Sequence, residues 1–197
     1  PDDAWQASLI VHASRAVDPA ATCLQSSSAI RGRFAGAIEA LLDPVDDAER
    51  AADAPRSAYI RFWGAQALIS LLGAPPDFLS ASLPEEMLPP RAADRAARTL
   101  ERAAAAAYDE VCRQLAFRYA DDGNSHDTIV LAYSLMTYVL VSDALASAPQ
   151  TAGRRERARD AAGPSSALPP RNPKLVRAAL GAVFAGQRAD GLWDQGQ

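Results

Sequence analysis

The densest group of potential ligands in the chain is Asp121-Asp122-Gly123-Asn124-Ser125-His126-Asp127. Asp121, Asp122 and Asp127 could hold a hard cation such as Mg²⁺ through oxygen, and His126 could exchange a proton near neutral pH. If the chain catalyses a reaction, these four residues are the candidates. The same residues also read as a turn and a helix start. Gly123-Asn124 breaks the preceding helix, Ser125 or Asn124 caps the next one, and Asp127 favours its positive end. Adjacent side chains on a helix diverge by about 100°. Asp121 with Asp122, and His126 with Asp127, therefore each offer at most one ligand to a shared ion, and no resident cofactor or metal is expected. His12, the only other histidine, falls on an amphipathic helix as a packed or surface side chain. Cys23 and Cys112 have no CxxC spacing and no paired histidine. They are expected to be buried free thiols in a reducing compartment.

Six stretches with helical periodicity must position these residues. The first covers about Asp2 to Val17, with Trp5, Leu9, Ala13 and Ala16 on one face. The second follows the capping sequence Ser26-Ser27-Ser28 and presents Ile30, Phe34, Ile38, Leu41 and Leu42 before Pro44 stops it. The third starts after Pro55, carries Ile60, Trp63, Ala67, Leu68, Leu71 and Leu72, and ends at Gly73. The fourth runs from about Arg91 to Tyr119 with Leu100, Ala104, Tyr108, Val111 and Leu115. The fifth, Ser125 to Ala146, shows Ile129, Ala132, Tyr133, Met136, Val139 and Leu140. The sixth, Pro173 to Gln187, shows Val176, Leu180, Val183 and Phe184.

No stretch alternates long enough to make a strand, so the fold class is all-α, built from antiparallel helix pairs. Residues 1–148 are expected to form a helical domain and 149–172 a Pro- and Arg-rich linker. Residues 173–197 are expected to add a final helix that continues the domain. No fixed repeat period is present.

With 49% hydrophobic and 22% charged residues in 197, the chain is globular in composition. The net charge of −4, with Lys174 as the single lysine, argues against a nucleic-acid partner. The most apolar run, Thr128 to Val141, is interrupted by Tyr133, Ser134, Thr137 and Tyr138 and reads as a core helix, not a membrane span. The chain opens at Pro1 with no signal peptide and stops at Gln197, which suggests a cytoplasmic protein and a longer parent polypeptide.

The segment from Arg177 to Trp193 contains Arg177-Ala178, Gln187, Gly191 and Trp193 in the order of a QW repeat. It resembles the α/α-toroid superfamily of terpenoid cyclases and protein prenyltransferases over about one-tenth of the chain. Phe184 lies one residue closer to Gln187 than is usual there. The resemblance implies that Arg177, Gln187, Gly191 and Trp193 are structural. Gln187 would satisfy a helix end, Gly191 would let the chain reverse, and Trp193 would fold back over apolar surface. The Asp-x-Asp-Asp acid motif and the zinc ligands of the catalytic members are absent; Asp43-Pro44-Val45-Asp46-Asp47 has the wrong spacing. Cavities in that superfamily are lined by aromatic side chains. Here Tyr59, Phe62 and Trp63 form one aromatic group and Tyr133 and Tyr138 another, but aromatics at helical spacing are expected to be core.

The functional expectation is an α/α-toroid-like or irregular helical-repeat domain acting as a binding or regulatory module. Its partner would be an apolar small molecule, another protein, or the rest of the parent polypeptide. A terpenoid-cyclase- or prenyltransferase-like enzyme fragment and a protein-interaction scaffold are the alternatives.

Overall fold

The computed structural model describes residues 4–42, 54–72, 83–119, 127–147 and 172–187. Among these the structure is helical and contains no strand. The helices are α1 (Ala4–Val17), α2 (Thr22–Ser26), α3 (Ser28–Leu42), α4 (Ala54–Leu72), α5 (Ala92–Tyr119), α6 (Thr128–Ser147) and α7 (Pro173–Ala185), with a 3₁₀ turn at Glu85–Met87.

Local signals explain the boundaries. The α3 start is fixed by Ser27, whose Oγ accepts the Ile30 N–H at 3.4 Å. Asn172 caps α7 by accepting the N–H groups of Lys174 and Leu175, with Pro173 at the first helical position. The one-turn helix α2 was not signalled by periodicity. It exists because the Asp18 carboxylate gathers the N–H groups of Thr22, Cys23 and Leu24 at 2.7, 2.6 and 3.3 Å. Desolvation pulls the Asp18 pKa up, but these donors outweigh it and hold the carboxyl below its ordinary range.

Contacts between named residues give the helix directions. Trp5 lies by Tyr59, His12 by Trp63 and Arg15 by Ser70, so α1 and α4 run in the same sense. Glu39 pairs with Arg95 and the Leu42 carbonyl accepts from Thr99, so α3 and α5 also run together. Ala4 and Leu41 meet beside Gly64, which sets α1 against α3. Gln114 lies by Asp127 and Tyr108 by Tyr138, which makes α5 and α6 antiparallel. Asn172 lies by Tyr138 and Gly186 by Thr128, which makes α6 and α7 antiparallel. Thus α1, α4 and α6 point one way and α3, α5 and α7 the other, each set packed side by side in that order.

The core has two parts. The larger joins α1, α3, α4 and the first half of α5 around Val11, Phe34, Leu41, Leu68 and Leu100. The smaller joins the second half of α5 to α6 and α7 through Val111, Leu115, Leu131, Leu135, Ala179 and Ala182.

Three helix faces differ from the sequence expectation. The buried face of α1 is Ala4, Ala7, Ser8 and Val11, and Leu9 is 46% exposed. Alanines let helices approach closely, so the small-residue face won over the one with larger side chains. On α6 the buried residues include Val130, Leu131, Ser134, Leu135, Thr137, Tyr138 and Val141, while Met136 is 47% exposed. This helix is apolar all round, so periodicity carried no information about its inward face. On α7 the buried residues are Ala179 and Ala182; Leu180 and Phe184 are 43% and 62% exposed. Cys23 is exposed and Cys112 half-buried, not the buried pair expected. By length and composition α6 is the one described helix that could cross a membrane. Here it packs against α4, α5 and α7 as a core helix does.

Candidate functional site

Asp127 is the N-terminal cap of α6. Its Oδ1 accepts the N–H groups of Ile129 and Val130 at 2.9 and 3.0 Å, and its own N–H donates to Gln114 Oε1 at 2.8 Å. The cap thus falls two or three residues later than Ser125 or Asn124. Behind it stands a polar network. Buried Gln114 donates through Nε2 to Glu110 Oε1 at 2.8 Å, and the Arg113 guanidinium donates to the same carboxylate. Desolvation would raise the Glu110 pKa, but the bonds from Arg113 and Gln114 hold it below its ordinary value. Asp121, Asp122 and His126 lie outside the described residues, so Asp127 is the one member of the candidate cluster that the structure places. No group of three His, Cys, Asp or Glu side chains fit to hold a metal is found among the described residues. Asp127→Ala is expected to cost about 1 kcal/mol in urea unfolding, the usual price of a lost cap, and Asp127→Asn only a few tenths. A metal ligand would lose as much in the asparagine variant as in the alanine one.

Of the QW-like residues, Arg177 is exposed on α7. Gln187 follows that helix, its N–H donating to the Phe184 carbonyl at 3.1 Å. Gly191 and Trp193 lie outside the described residues.

A different site emerges between α1 and α4. On α4, Tyr59, Trp63, Gln66 and Ser70 follow the spacing i, i+4, i+7, i+11, which lines one face of a helix. That face meets α1. Trp5 and Tyr59 ring centroids are 6.5 Å apart, and His12 sits edge-on to Trp63 at 5.8 Å. One end is closed where the Arg15 guanidinium donates to the Ser70 carbonyl and hydroxyl oxygens. Gln66 therefore lies between the levels of His12 and Arg15. The aromatic side continues onto α6, because Tyr133 packs against Tyr59 at 5.2 Å and Phe62 at 5.6 Å. The two aromatic groups of the sequence are thus merged except for Tyr138, which turns away to Tyr108.

Three polar atoms in this seat are buried without a hydrogen-bond partner: His12 Nε2, Trp63 Nε1 and Gln66 Oε1. An unmet buried polar atom costs about 1–3 kcal/mol, and native structures keep few of them. Burial pushes the His12 imidazole below its ordinary pKa, and the charge of Arg15 adds to that. The imidazole is therefore neutral near pH 7, with one ring nitrogen a donor and the other an acceptor. The arrangement can offer a fixed donor, a fixed acceptor and an adaptable position beside aromatic rings.

No family model, curated protein or solved structure matches the chain. The reading of the site therefore rests on its own chemistry. Sequence reasoning set His12 aside as a packed or surface side chain and did not single out Gln66. The available signal was the α4 spacing, which places a glutamine within an aromatic stripe.

Proposed function

We propose that the chain is a helical binding module, α/α-toroid-like or irregular helical-repeat in architecture, whose ligand seat lies between α1 and α4. Its architecture is favoured by the two opposed sets of helices packed in register, the layout that stacked helix pairs produce. The binding function is carried by one observation, the three unpartnered polar atoms of His12, Trp63 and Gln66 among aromatic rings. Polar groups converging in an apolar seat are the usual make-up of a small-molecule site. A protein-interaction scaffold is a second reading, favoured by exposed Met136, Leu180 and Phe184 on α6 and α7.

The test is an NMR titration with small aromatic probes, watching the indole N–H of Trp63. A saturable shift is expected. A resonance that stays fixed up to the solubility limit of every probe would contradict the binding reading.

A further inference from the structure

We infer that the seat between α1 and α4 selects an uncharged molecule carrying a hydrogen-bond acceptor beside a donor on a flat apolar frame. This rests on the binding reading above and adds the chemistry of the ligand.

The polarity of the seat is written in its atoms. Trp63 Nε1–H can only donate and Gln66 Oε1 can only accept, and both are unpartnered and buried. They stand one helical turn apart on the α4 face that meets α1. A carboxamide or lactam edge matches this pair, its carbonyl receiving from Trp63 and its N–H giving to Gln66. A carboxylate would set an oxygen lone pair against Gln66 Oε1. An amidinium would set N–H against the Trp63 N–H.

Net charge argues the same way. The Arg15 guanidinium at the end of the seat disfavours a cation. It does not serve an anion freely, since it already donates to the Ser70 carbonyl and hydroxyl. Any ion would also shed its water to reach these buried atoms, which is costly without a full counter-charge. Neutral His12 supplies no such charge. The rings of Tyr59 and Phe62 pack against Trp63 at 6.1 and 5.4 Å, and an aromatic surrounding suits a planar frame.

Benzamide, benzoate, benzamidine and ethylbenzene separate these cases, being of similar size and differing at one group. The full chain is titrated with each, following the Trp63 indole N–H, which is assigned by its loss in Trp63→Phe. Benzamide is expected to bind at least about tenfold more tightly than either charged analogue. In Gln66→Met its affinity is expected to fall toward, but not to, that of ethylbenzene, because the bond from the Trp63 N–H remains. Equal or tighter binding of benzoate or benzamidine would overturn the inference and leave the binding reading standing. So would benzamide binding no better than ethylbenzene in the wild-type chain. If no probe moves the resonance, the inference and the binding reading fall together.

Discussion

Replacing Tyr138 by alanine is expected to lower the stability of the chain by about 3–5 kcal/mol, the cost of emptying a large buried aromatic site. Among the described residues Tyr138 is the largest of the fully buried side chains, and its ring packs against Tyr108 at 5.5 Å. Its hydroxyl oxygen accepts the Asn172 N–H at 3.1 Å. Asn172 is the residue that caps α7, so one side chain both fills the space between α5 and α6 and anchors the start of α7. Tyr138→Phe keeps the ring and removes only the hydroxyl, and is expected to cost about 1 kcal/mol. Urea unfolding of the two variants separates packing from hydrogen bonding. A loss below about 1.5 kcal/mol for alanine would mean that the site collapses around the smaller residue, against the packing described.

Much of the helical layout was legible in the sequence because its punctuation is chemical. Pro173 after Asn172 and Ser27 before Ile30 mark real helix starts. The inward faces of α1 and α6 were not legible. Periodicity weighs side chains by apolarity, and α1 buries alanines while α6 is apolar on every side. The cap at Asp127 was half legible: its acidic place in the first turn was expected, but the choice of Asp127 over Ser125 or Asn124 depends on Gln114, thirteen residues earlier. The seat between α1 and α4 depends on a contact between helices whose residues are about fifty positions apart, such as His12 with Trp63. Only the tertiary arrangement brings those side chains together and leaves their polar atoms without partners.

The central claim is that the polar atoms of the seat are kept for a ligand and not for the fold. Gln66 gives the cleanest separation, because methionine has nearly its length and volume and no amide oxygen. A buried acceptor left without a donor costs about 1–3 kcal/mol in the folded state, and Gln66 Oε1 is such an atom. Removing it without opening a cavity should return much of that energy, as volume-conserving core swaps are tolerated well. Functional sites are commonly held at such a cost to stability. The decisive measurement is therefore the unfolding free energy of Gln66→Met against the wild-type chain, in denaturant and without ligand. The account predicts a gain of about 1–2 kcal/mol, near 2–8 °C in melting temperature for a chain of this size. A loss of about 1 kcal/mol or more would show that the Gln66 amide supports the fold, and would contradict the claim.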